Sequence, residues 1–121
     1  MREGEVLVLE DEALIAMDIE MTLEEAGYHR VSVHSDSQSA LEKIANTQPT
    51  AALLDFNLGK GKTSLDVAKL LKDRGVPFVF LTGYTDATVA LPDDLADVKR
   101  IAKPFQDTEL VKTVNGMMSE S

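Results

Sequence analysis

The chain has no cysteine. That excludes disulfides, thiolate catalysis and cysteine-ligated metal sites, and it leaves the redox compartment open. Histidine is nearly absent too, with two residues in 121, which excludes a histidine-rich metal site. No apolar run approaches the roughly 18 residues of a membrane span, and the N-terminus lacks the basic-then-apolar pattern of a signal peptide, so a cytoplasmic protein without membrane contact is the default expectation. There is no internal repeat, low-complexity tract or linker. Basic residues are in the minority, 12 against 21 acidic ones, for a net charge of −9. Such a chain repels nucleic-acid phosphates and anionic lipid, so neither is an expected partner. The same imbalance favours clusters of carboxylates around a cation.

An ordinary folded composition is present: 44% apolar and 27% charged residues. The length suits one domain, taken as 1–121. Val6 to Leu9 reads as a buried strand, Ala51 to Leu54 as a strand buried on both faces, and Phe78 to Thr82 as a further strand stopped at Gly83. Arg30 to His34 alternates and reads as a strand nearer a sheet edge, and Val98 to Ala102 as a fifth, charge-interrupted strand. Helical patterns lie between them. The first runs from Ala13 to Ala26 with a wide stripe of Leu14, Ile15, Met17, Ile19, Met21 and Leu23, stopped by Gly27. Its methionines read as core.

A second helix, capped by Asp36 or Ser37, presents Leu41, Ile44 and Ala45. A third opens at Thr63, with Asp66 completing an approximate capping box, and carries Leu65, Ala68 and Leu71 up to Gly75. The last runs from about Gln106 to Met118, with Leu110, Val111, Val114, Met117 and Met118 on one side. Tyr84 to Asp97 is weakly patterned and predicts at most a short or irregular fourth helix. Strands alternating with helices predict an α/β domain, a doubly wound five-stranded parallel sheet of flavodoxin-like (βα)5 type.

In a parallel sheet all strand ends of one polarity share an edge. Glu10 and Asp11 follow the first strand, Asp55 the third, Thr82 the fourth and Lys103 the fifth. Asp55 alone reads equally well as a helix cap. With the others it joins three carboxylates, a hydroxyl and an ammonium in one crevice, where α/β sheets bind ligands. Clustered carboxylates raise one another's pKa unless a cation neutralises them, and a hard divalent ion such as Mg²⁺ suits oxygen ligands. A metal, a lysine and a hydroxyl around a carboxylate nucleophile suit phosphoryl transfer.

These residues, in this order, resemble the receiver domains of bacterial two-component response regulators. The marks are Glu10-Asp11, Asp55-Phe56-Asn57-Leu58, Thr82-Gly83 and Lys103-Pro104-Phe105, and the resemblance covers essentially the whole chain. It implies that Asp55 accepts a phosphoryl group from a histidine kinase or histidine phosphotransfer protein. Asp11, Asp55 and the backbone carbonyl of Asn57 would bind Mg²⁺, with Mn²⁺ or Ca²⁺ able to substitute and Glu10 reaching the metal directly or through water. Thr82 and Lys103 would hold phosphoryl oxygens, and the Lys103–Pro104 bond would be cis. The first helix near Leu14 and Ile15 would meet the phosphodonor protein, and the last strand and helix a downstream partner.

Where many receivers carry an aromatic switch residue this chain has Arg100. The run Pro77-Phe78-Val79-Phe80-Leu81-Thr82-Gly83-Tyr84 instead resembles stand-alone receivers with a Pro-Phe-x-Phe-Ala-Thr-Gly-Tyr type motif, and Tyr84 is the candidate modulator there. Two alternatives are less well matched. Gly61-Lys62-Thr63 is half of a nucleotide-binding P-loop, without the required upstream glycine, so the loop reads as a solvated turn with Lys62 at most an electrostatic contributor. An aspartate-nucleophile phosphohydrolase of haloacid-dehalogenase type needs a second acid where Asn57 stands, and an inserted cap for which the chain has no room. A phosphate-holding module that does not turn over substrate is therefore the expectation.

Overall fold

A computed structural model describes residues 4–83 and 91–120. Its elements, in order, are β1 (Val6–Leu9), α1 (Ala13–Glu25), β2 (Val31–His34), α2 (Ser37–Asn46), β3 (Ala51–Asp55), β4 (Asn57–Gly59), β5 (Lys62–Thr63), α3 (Leu65–Asp73), β6 (Phe78–Thr82), a 3-10 turn (Asp93–Leu95), β7 (Arg100–Ala102) and α4 (Asp107–Glu120). Five parallel strands form one sheet in the order β2-β1-β3-β6-β7. The chain leaves β1 on one side to make β2 and returns on the other to make β3. The switch point of this doubly wound sheet therefore lies between β1 and β3, and a crevice opens beyond their C-terminal ends.

The apolar runs form strands because both of their faces are covered. Val6, Val8, Ala51, Leu53, Val79 and Leu81 point to one face and pack with Ile19 and Leu23 of α1 and Leu110, Val114 and Met117 of α4. Leu7, Leu9, Ala52, Leu54 and Phe80 point to the other and meet Ala40 and Ile44 of α2 and Val67, Ala68 and Leu71 of α3. Two cores on one sheet fix its register, since a one-residue slip would exchange every side chain between them. β2 is an edge strand, as its alternation predicts, and β7 is the other edge. Gly27 ends α1 at φ 100°, a conformation costly for any residue with a Cβ.

Several local expectations are corrected. Met17 and Met21, read as core, are 56% exposed, and Leu14 is 82% exposed. The wide stripe of α1 is thus split, with Ala16, Ile19, Thr22 and Leu23 inward. On α2, Ala40 rather than Ala45 joins Ile44 in the core, while Asp36 caps the helix by accepting the Ser39 N–H at 2.8 Å. The residue capping α3 is Ser64, not Thr63, and no side-chain cap bond forms there. The last strand begins at Arg100, two residues later than its apolar pattern. The segment after Leu58, read as a solvated turn, is part of an antiparallel hairpin of β4 with β5. Of the weakly patterned segment Tyr84 to Asp97, 84–90 lie outside the described residues, and the described part holds one short 3-10 turn at Asp93–Leu95, within the expectation of at most a short or irregular helix.

Candidate functional site

The strands bring the predicted residues to one edge. Pairing places Leu9 beside Leu54, Asp55 beside Leu81, and Thr82 beside Ala102. Glu10 extends the β1–β2 ladder by one bond, its N–H donating to the His34 carbonyl at 2.9 Å. The Lys103 N–H donates to the Thr82 carbonyl at 2.8 Å, which carries the β6–β7 ladder up to the lysine. Main-chain bonds in the sheet thus fix the backbone of the acidic residue and of the lysine at this edge.

Glu10 and Asp55 are buried, at 1% and 4% exposure, while Asp11 is exposed. The three offer carboxylate oxygens that lie within 4.8 Å of one another. Lys103 Nζ bridges the buried pair, 2.6 Å from Glu10 Oε1 and 3.2 Å from Asp55 Oδ2. Glu10 Oε2 accepts the Glu12 N–H at 3.1 Å, so both Glu10 oxygens are engaged. One ammonium among three carboxylates leaves the cluster electronegative. Burial pushes the Asp55 carboxyl up to about 8, reinforced by the hydrogen bond and charge of Glu10 and only partly opposed by Lys103. Burial works against the Lys103 ammonium, but its bond to Glu10 and the charges of Asp55 and Glu10 outweigh that and raise its pKa. The donor set is all oxygen, short of positive charge and open to solvent through Asp11. It fits a hard divalent cation.

A small cavity of about 280 Å³ opens above this cluster, walled by Asp11, Asp55, Asn57, Gly59, Gly83 and Lys103. Asn57 is exposed at its rim, with its side-chain oxygen accepting the Gly59 N–H at 2.8 Å. Thr82 is buried at the end of β6 but outside the wall, and its hydroxyl donates to the Ile101 carbonyl at a long 3.5 Å. The Lys103–Pro104 peptide is cis. Arg100 is half-buried on β7, paired with Phe80 across the ladder. Tyr84 lies outside the described residues. The structure adds Gly59 and the Glu12 N–H to the site. Neither carried a signal in the sequence, because a glycine wall and a main-chain donor exist only once the loops are placed. The histidines stand apart: His34 on the edge strand contacts Ser39 Oγ at 2.6 Å and Ser32 Oγ at 3.3 Å, and His29 is exposed.

Comparison with known proteins agrees with this geometry. The family model for the response regulator receiver domain matches residues 6–115. The chain is similar to the phyllosphere-induced regulator PhyR of Methylorubrum extorquens, with 36% identity over 116 residues, 92% of this chain and 42% of that protein. It is 34% identical over 115 residues to the DNA-binding response regulator MtrA of Mycobacterium tuberculosis, covering 93% of this chain and 50% of MtrA. The chain thus spans about half the length of these relatives. Among solved structures, SdrG of Sphingomonas melonis superposes with a TM-score of 0.79 at 34% identity, over 94% of this chain and 95% of that one. The receiver domain of NtrX from Brucella abortus shares the fold, with a TM-score of 0.84 at 24% identity over 97% of this chain and all of that one. The family model's match over residues 6–115, with relatives such as PhyR, places this chain in the response regulator receiver domain family.

Proposed function

We propose that Asp55 is the phosphoacceptor of a two-component or phosphorelay receiver, and that its phosphorylation alters the protein's binding surface. The observation that carries this is the single ammonium of Lys103 bridging Glu10 and Asp55 beside the open carboxylate of Asp11. Asp55 Oδ1 or Oδ2 attacks phosphorus, the donor's N–P bond breaks, and the imidazole of the donor histidine leaves with the electron pair. Asp11 and Asp55, with the Asn57 carbonyl, would hold Mg²⁺, and the bound ion would supply positive charge that favours the Asp55 carboxylate and offsets the charge of the phosphoryl oxygens. Since both Glu10 oxygens already have partners, Glu10 fits a role one water removed from the metal. Lys103 moves from the carboxylates to a phosphoryl oxygen, and the Thr82 hydroxyl, weakly held by Ile101, turns to meet another. Arg100 and Pro104 flank this movement on β7 and just after it, and Tyr84 limits the access of water to the acyl phosphate.

The partners follow from the same reading. Leu14, Met17 and Met21 form an exposed apolar stripe on α1, beside the crevice, suited to a histidine kinase or histidine phosphotransfer protein. A downstream protein would read β7 and α4. Among the described residues no helix is long and apolar enough to cross a membrane, in keeping with a cytoplasmic role. Nothing in the relatives favours the phosphohydrolase, and Asn57 stands at the rim where that enzyme needs an acid. Intact-mass spectrometry after incubation with Mg²⁺ and acetyl phosphate separates the two. A stable gain of one phosphoryl group is expected; rapid multiple turnover without an adduct would favour the enzyme.

A further inference from the structure

The β4–β5 hairpin stands at the rim of the site, and beyond the Asn57 carbonyl at its start none of its residues has a role in holding the metal or the phosphoryl group. Gly59 walls the Asp55 cavity, and a Cβ placed on it would lie 3.7 Å from Asp11 Oδ2, so the hairpin backbone runs close to that carboxylate. Asp11 and Gly59 also line a second, larger groove of about 760 Å³ between the hairpin and the start of α2. The two cavities therefore share a wall. The cations lining the second groove are Lys60 and Lys62, set against Asp11, Asp36 and Glu42. Both lysines are exposed, and among the described residues neither forms an ion pair.

The tip itself is unusual. Lys60 and Gly61 join Gly59 to Lys62, with φ of 53° and 76°. Two-residue hairpin turns with positive φ at both positions favour Asn or Gly, and a lysine at the first carries a conformational cost. Lys60 thus keeps a positive charge at a position that favours Asn or Gly, on a chain of net charge −9. Incoming phosphoryl anions must cross an acidic surface to reach carboxylates, and Lys103 is too deep to attract them from outside, its side chain being 16% exposed.

We propose that Lys60 and Lys62 form an electrostatic gate that draws the phosphoryl anion of the donor toward Asp55, whether it arrives as an acyl phosphate or as a phosphohistidine. This rests on the phosphoacceptor reading of Asp55. The chemistry at Asp55 is unchanged: with acetyl phosphate the bond from phosphorus to the acetyl oxygen breaks, acetate leaves with the electron pair, and the bond to Asp55 forms. The lysines act on approach, so their effect scales with donor charge and is screened by salt.

The test compares the parent with Lys60→Gly/Lys62→Ser, which keeps the positive-φ turn, and with Lys60→Arg/Lys62→Arg, which keeps the charge. Phosphorylation rates are followed by intact mass at saturating Mg²⁺, with acetyl phosphate as the O–P donor and the less charged phosphoramidate as the N–P donor. The neutral pair should slow acetyl phosphate about three- to tenfold at low salt, and phosphoramidate less. The gap should close to less than about twofold near 1 M salt, where the screening length falls to ~3 Å. The arginine pair should restore the parent rate. Equal rates at low salt, or a loss that persists at high salt or in the arginine pair, would overturn the gate while an adduct on all three proteins leaves the Asp55 assignment standing. Absence of an adduct on the parent would remove both.

Discussion

The two sides of the crevice are in different states of readiness. On the β1–β3 side the carboxylates are already gathered, with Glu10 and Asp55 buried and joined through Lys103. On the β6–β7 side the Thr82 hydroxyl is buried but turned to the Ile101 carbonyl, outside the cavity wall. One side holds excess negative charge that a cation relieves; the other holds a weak bond that a stronger acceptor can replace. A receiver needs both conditions: a site formed before the phosphoryl group arrives, and a part that changes afterwards.

The largest expected effect comes from upsetting the ready side. Lys103→Met should slow phosphorylation by acetyl phosphate by about 10²-fold or more, since a positioned cation on transferring phosphoryl oxygens is worth that much. The same variant should bind Mg²⁺ more tightly by calorimetry, because the ammonium competes for the carboxylates. Asp11→Asn should weaken Mg²⁺ by more than about tenfold. Opposite signs for the two variants would sharpen the account; the same sign would break it.

A titration experiment comes next. The Asp55 pKa is raised in the fold from an ordinary 3.8 to about 8, so the protein favours its protonated form. That contribution to stability is fully present below the unfolded value and is lost as pH rises through the folded one. In metal-free protein, Asp55→Asn should therefore raise the melting midpoint at pH 9 by at least about 4 °C and do little at pH 4. Added Mg²⁺ should narrow the gap at pH 9.

The smallest stability effect is expected on the unready side. Thr82→Ala removes a buried methyl and, among the described residues, one long 3.5 Å hydrogen bond, and should cost about 1–2 kcal/mol in denaturant melts. It should nevertheless abolish the chemical-shift changes on β7 and α4 that phosphorylation produces in the parent. A large loss of stability would mean that Thr82 is already fixed in place.

Much of this arrangement was legible because it depends on burial and strand ends. Runs such as Ala51 to Leu54 must be covered on both faces, and a parallel sheet then carries their C-terminal residues to one edge. Features set by single contacts were not legible. The stripe on α1 was too wide for its pattern to say that Ile19 would face the sheet and Met17 solvent. A hairpin of three- and two-residue strands is too short to show a period, so Gly59 and Lys60 read as a loop. The direction of the Thr82 hydroxyl is a rotamer, settled by Ile101 on a neighbouring strand. The double engagement of Glu10 depends on a main-chain N–H that no pattern of side chains announces.

The most direct measurement is to phosphorylate the protein with acetyl phosphate and Mg²⁺, reduce the acyl phosphate with borohydride, and map the modified peptide by tandem mass spectrometry. The account predicts reduction at Asp55 alone, with none in Asp55→Asn. Modification at another residue, or labelling retained in Asp55→Asn, would contradict it.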